Sequence, residues 1–222
     1  MTTPETLCVM PREMRLMSER ILSLTALPKG FALMITDVVM YSESMGLGGF
    51  ALLEQRLDGL KEANMTRLSL SDDGGRLDAG GQHAWCVVPS VIDLLQLEGV
   101  ERIEVANVTD PGELKIAEGL GARAGLAITV KGMLISASRR DPGDPVLDRL
   151  MQDGCTVPAP QWWRIYELAQ TALLPDSAVS RRHAGPVIVT EDGRVIGRKD
   201  NDDDTDVSFI GSDGKETQET NA

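Results

Sequence analysis

The sequence predicts an α+β fold, an N-terminal helical bundle followed by a mixed or antiparallel sheet with flanking helices, on three observations. Up to residue 63 apolar residues recur every three or four positions. From residue 64 short alternating segments separated by turn residues take over. Past Asp200 the hydrophobic residues thin to Val207, Phe209 and Ile210. The expected organisation is therefore a single domain over 1–199, with a helical subregion 10–63 and an α/β region 64–199, and a disordered acidic tail over 200–222.

Three stripes define the helical part: Met10, Met14, Met17, Ile21 and Leu24; Phe31, Met34, Val38, Tyr41 and Met45; Phe50, Leu53, Leu57 and Leu60. Each spans about two heptads and is cut off by Leu27-Pro28-Lys29-Gly30 or Gly46-Leu47-Gly48-Gly49, which favours a short antiparallel bundle over a coiled coil. The methionines suit adaptable packing, as core or as a cofactor or partner groove lined by Met10, Met14, Met17, Met34 and Met45.

In the second part, Leu68 and Leu70 alternate with polar residues, Asp72-Asp73-Gly74-Gly75 supplies a turn, and Leu77 with Ala79 returns, which predicts a hairpin. His83 to Val88 is expected to be a strand and Pro89 to start a short helix. Glu101 to Val108 is expected as a strand. Asp110, Pro111 and Glu113 then have the spacing of a capped helix start, ending at Gly119-Leu120-Gly121. Ala127 to Ser138 is strand-like with a bulge or turn at Lys131-Gly132, and a short helix to about Gln152 follows Asp141 to Pro145. Cys155 to Pro160 is expected as a connector, and Trp162, Ile165, Tyr166, Ala169 and Leu173 as one side of an amphipathic helix. A final hairpin is expected from Val187 to Ile196.

The composition narrows the function classes. A chain of 222 residues buries roughly 70% of its unfolded surface, enough to fold without staples. Three scattered cysteines and two histidines, with no C-x-x-C pair, predict a reducing, cytoplasmic setting and no structural metal. No apolar run is long enough to span a bilayer. The net charge is −12, and from Asp200 onward eight acids against Lys215 carry −7 of it, leaving −5 on the body. Nucleic acid and anionic lipid, which need clustered Lys and Arg, are not expected partners.

The candidate motifs resolve unevenly. Gly119-Leu120-Gly121-Ala122-Arg123-Ala124-Gly125 has the glycines of a dinucleotide loop but stands between a helix and a strand, the reverse of the order that loop needs, so no cofactor is expected. Asp200 to Asp206 lacks the turn glycine and distal glutamate of a calcium loop. His83 and Cys86, three apart on the expected strand, would face opposite ways, which argues for an inert buried thiol over a catalytic one. Ser180, Arg181, Arg182 and His183 form the densest polar cluster and are the expected binding residues for a small carboxylate or phosphate, because guanidinium groups recognise both.

Leu174-Pro175-Asp176-Ser177-Ala178-Val179-Ser180-Arg181, with Ala184-Gly185 and Asp200-Asn201-Asp202, resembles the closing segment of a bacterial family of small proteins of unknown function. Pro186 and the Glu191-Asp192-Gly193-Arg194 turn depart from that pattern. The resemblance implies a specific role for Ser180 and Arg181 and no particular activity. The expected function is therefore small-anion binding by a metabolic protein, as an enzyme or an enzyme's accessory subunit. The alternative is a non-catalytic assembly or scaffolding protein. The width of the helical stripes also predicts a homo-oligomer or a partner complex.

Because residues 211–222 offer too little apolar surface to offset the entropy of ordering, truncation after Ile210 is expected to leave the thermal midpoint unchanged. A loss of several degrees in calorimetry would show instead that the tail is packed.

Overall fold

The computed structural model describes residues 4–173 and the strands Val187–Val189 and Val195–Gly197. The chain divides into two units, Met1–Leu173 and Leu174–Ala222. The fold class is α+β. The first unit contains β1 (Thr6–Val9), α1 (Pro11–Leu22), α2 (Lys29–Ser44), α3 (Gly49–Lys61), β2 (Ser69–Leu70), β3 (Arg76–Asp78), α4 (Ala84–Gln96), β4 (Arg102–Ala106), α5 (Ile116–Arg123), β5 (Leu126–Lys131), β6 (Leu134–Arg139), α6 (Pro145–Asp153), β7 (Cys155–Pro158) and α7 (Ala159–Gln170). In the second unit, β8 (Val187–Val189) pairs antiparallel with β9 (Val195–Gly197), the hairpin expected there.

Two apolar clusters form the core of the first unit. In one, Met14, Met17 and Ile21 of α1, Ile35 and Val39 of α2, Phe50 and Leu53 of α3, and Trp162 and Ile165 of α7 pack together. The other lies between a five-stranded sheet, in the order β2-β3-β4-β6-β5, and the helices α4 and α5. Along the strands, Leu77, Ile103, Val105, Ile135, Leu126 and Ile128 point into this cluster, while Arg102, Glu104, Ala127 and Thr129 face the other way and are exposed. That is the period-two pattern of a sheet covered on one face. All ladders are antiparallel except β3–β4, which is parallel and joined through α4.

Helix α4 belongs to both clusters: Trp85 and Cys86 are in the first, and Ala84, Val87, Val88 and Val91 in the second. This explains the main correction to the sequence reading. His83 to Val88 is not a strand but the start of this helix, and Pro89 lies inside it. A helix buried on nearly every side gives the same unbroken apolar run as a buried strand.

Other differences are local. Cys155–Pro158 is a strand paired with β1, with Val9 opposite Cys155, rather than a connector. Gly119 and Gly121 lie within α5, which continues to Arg123. A Cβ at Gly121 would sit 2.4 Å from Ile128, and one at Gly119 2.9 Å from Met45, so these glycines allow close packing and do not end the helix. Lys131-Gly132 opens a two-residue hairpin turn, with Gly132 at φ +60 and Lys131 opposite Leu134. On α7, Trp162, Ile165 and Ala169 are buried and Tyr166 is exposed, while Leu173 lies beyond the helix end and is exposed. Met14 and Met17 are core residues, while Met10 and Met34 face solvent.

An ion-pair chain joins the helices around α2. Asp37 accepts from Arg15 at 2.7 Å and Arg123 at 2.8 Å, and Arg123 lies 3.4 Å from Asp144. The buried Tyr41 hydroxyl donates to Asp144, which also caps α6 by accepting from the Leu147 N–H. Burial, reinforced by that carboxylate, pushes the Tyr41 hydroxyl well above its ordinary range.

Two glycines in α3 should respond oppositely to alanine. A Cβ at Gly49 would lie 2.4 Å from the Val39 carbonyl oxygen, so Gly49→Ala is expected to destabilise by about 1–3 kcal/mol. Gly59 has open space around it and should gain about 0.5–1 kcal/mol from the same change. Denaturant titrations of both variants measure the difference.

Candidate functional site

The carboxyl ends of the parallel strands β3 and β4 lead into two loops that are bonded to each other. Gly81 N–H donates to the Asn107 carbonyl at 2.7 Å, Thr109 N–H to Gln82 at 2.9 Å, and Ala84 N–H to Thr109 at 3.0 Å. Asp78 secures both strand ends by accepting from the Gly80 N–H at 2.8 Å and the Asn107 side-chain amide at 2.6 Å. Among the described residues, the only non-glycine positions with positive φ are Asn107 (50°) and Asp110 (52°), both in this loop pair. Asn and Asp tolerate this conformation best, and such outliers concentrate where a site is being shaped.

Asp110 precedes a five-residue 3₁₀ turn, Pro111–Lys115. It does not cap that turn and Glu113 does not complete a capping box, contrary to the sequence expectation. The left-handed backbone directs the Asp110 carboxylate outward, where Arg56 of α3 grips it with Nε at 2.8 Å and Nη2 at 3.0 Å. This guanidinium holds the Asp110 carboxyl below its ordinary range. Three residues on, Glu113 turns into the core at 4% exposure. Its Oε2 accepts from the Trp85 indole N–H at 2.7 Å and the Ser42 hydroxyl at 2.6 Å. Burial raises the Glu113 carboxyl despite these two donors.

His83 stands between the two carboxylates. It is the N-cap of α4, with Nδ1 accepting from the Trp85 backbone N–H at 3.1 Å, and its ring meets the Trp85 ring edge-on at 4.6 Å. An accepting Nδ1 places the proton of the neutral imidazole on Nε2. That nitrogen is buried 3.1 Å from Asp110 Oδ2, yet it is misaligned and makes no hydrogen bond there. Burial lowers the His83 pKa to about 4, so the ring is neutral at neutral pH. Cys86, three residues further on, is fully buried with its thiol pushed up to about 12 by desolvation, and it stays protonated and unreactive.

In front of His83 lies a pocket of about 190 Å³ lined by Arg56, Gly59, Leu60, Glu62, Ala63, Arg67, Gly81, Gln82, His83 and Thr109. Gln82 is 5% exposed, and its Oε1 accepts from the Asn64 N–H at 2.9 Å. Its amide NH₂ has no partner among the described residues. Arg67 is brought close by the chain's approach to Gly80, where a Cβ would lie 2.6 Å from the Arg67 carbonyl oxygen. Its guanidinium makes no ion pair among the described residues. A larger hollow of about 740 Å³ at the opposite ends of β3 and β4 is walled by exposed side chains, among them Arg76, Glu101, Arg102 and Glu104. The smaller pocket is distinguished by two buried polar residues in its lining, Gln82 and His83.

Ser180, Arg181, Arg182 and His183, the binding residues expected from sequence, lie outside the described residues, as do Asp200 to Asp206. Of the present site, sequence reasoning had singled out His83 and had given Asp110 and Glu113 structural roles. Arg56, Arg67 and Gln82 carried no local signal, since they come from separate segments. No group of three His, Cys, Asp or Glu side chains among the described residues is placed to hold a metal ion, and no helix among them is long and apolar enough to cross a membrane. Compared with protein-family models, curated proteins and solved structures, the chain matches none.

His83 and Glu113 should shape the pH dependence of stability in opposite directions. The His83 pKa is depressed below 6.5, so its contribution is full above 6.5 and is lost as pH falls toward about 4. The Glu113 carboxyl is raised above 4.5, so its contribution is full below 4.5 and declines as pH rises through the folded value. His83→Asn, which keeps a capping side chain, should flatten the acid limb. Glu113→Gln, which keeps an acceptor for Trp85 and Ser42, should flatten the other, whereas Glu113→Ala should cost about 1–3 kcal/mol by leaving both donors unpaired. Thermal midpoints from pH 4 to 8 test each variant.

Proposed function

We propose that this protein binds a small anionic ligand, a carboxylate or phosphate, in the pocket between α3 and the loops following β3 and β4. It would do so in the bacterial cytoplasm as a metabolic enzyme or the accessory subunit of one. The observation that carries this reading is one pocket lined by Gln82, whose NH₂ bonds no described residue, and by Arg67, which makes no ion pair among the described residues. A ligand carboxylate or phosphate would accept from both, and guanidinium groups recognise either. The position also suits a ligand, because binding sites in α/β units favour the carboxyl ends of parallel strands.

A second reading has support of its own. Met10 just before α1, Leu16 of α1 and Leu33 and Met34 of α2 are exposed, as a protein that docks a partner chain through its methionine-rich helices would need.

Calorimetry against small carboxylates and inorganic phosphate separates the two. Binding by wild type, weakened by about 1–3 kcal/mol in Arg67→Ala, supports the pocket. Loss in an Arg181, Arg182 double alanine variant alone would move the site to that cluster. No binding by wild type, with a stoichiometric chain co-purifying, would favour the assembly reading.

A further inference from the structure

Resting on the pocket reading, we propose that the ligand is a small zwitterion with one carboxylate and one ammonium group, of the aliphatic α-amino acid class. Its carboxylate would be held by Arg67 and Gln82 and its ammonium by Glu62.

The charges favour this class over a simple anion. Arg56 and Asp110 neutralise each other through a two-point contact. Of the charged groups lining the pocket, that leaves Arg67 and Glu62, which form no ion pair with each other or with any other described residue. The exposed lining of the pocket thus carries one cation and one anion without a charged partner among the described residues. A dianionic phosphate would meet Glu62 with like charge, and a plain carboxylate would leave it unanswered. A zwitterion answers both.

Size and lining agree. The volume of about 190 Å³ corresponds to the liquid share of roughly six waters at ~30 Å³ each, room for a small amino acid and too little for a nucleotide. Leu60 and Ala63 offer a short apolar wall for an aliphatic side chain, and Gly59 and Gly81 add no bulk. The neutral His83 at the back adds no second positive charge.

The full chain is titrated calorimetrically with alanine, serine and valine, and with propionate and ethylamine, which each lack one charge. At least one amino acid should bind about 10- to 100-fold tighter than either truncated probe, the worth of one charged hydrogen bond. Glu62→Gln should lower amino acid affinity to the level of propionate while leaving propionate unchanged, and Arg67→Gln should weaken both by about 10- to 100-fold. Glu62 and Arg67 are exposed, so unchanged thermal midpoints confirm that the variants fold. Propionate binding as tightly as every amino acid, or Glu62→Gln leaving amino acid affinity intact, would overturn the zwitterion while the anion reading stood. If no amino acid, propionate or phosphate bound, both would fall.

Discussion

Glu113 is the residue on which this architecture turns. A carboxylate taken from water needs strong partners, and this one has two donors from different elements, the Trp85 indole of α4 and the Ser42 hydroxyl of α2. The three groups tie the turn after β4 to the helix that both apolar clusters share and to the central helix of the first cluster. The geometry that lowers Glu113 into the core also fixes Asp110, whose left-handed backbone presents its carboxylate to Arg56 and His83.

From that anchor the pocket follows by short steps. Asp110 holds the Arg56 guanidinium over the carboxyl ends of the parallel strands, and the paired loops hold His83 where its imidazole caps α4. Because Nδ1 is committed to the cap, Nε2 carries the proton, buried beside Asp110, and the ring must be neutral for the cap to persist. The cap at His83, the Gln82 Oε1 bond to the Asn64 N–H and the close approach of the Arg67 backbone to Gly80 fix the backbone around the pocket.

Much of the fold was legible because its signals are local. The stripes from Met10 to Leu60 mark α1 to α3, the Asp72 to Gly75 turn marks the β2–β3 hairpin, and Asp144-Pro145 marks the start of α6. The errors came where tertiary context decides. An apolar run buried on almost every side hid α4 as a strand, and glycines that admit Met45 and Ile128 looked like a helix end. The four-residue β1–β7 ladder is too short to show alternation. The pocket was the least legible part, because Arg56, Arg67, Gln82 and Asp110 meet only through the fold. His83 was noticed for the wrong neighbour: its partners are Trp85 and Asp110, and Cys86 is sealed in the core.

The imidazole of His83 reports on the central claim that a neutral, cap-forming histidine backs a ligand pocket. With only one other histidine in the chain, His183, its ring nitrogens are readily assigned by long-range nitrogen NMR. The account predicts the Nε2–H tautomer, unchanged from pH 8 to about 5, with the Nε2 signal moving when a pocket ligand is added. A ring that titrates near 6.5, or that carries its proton on Nδ1, would contradict it.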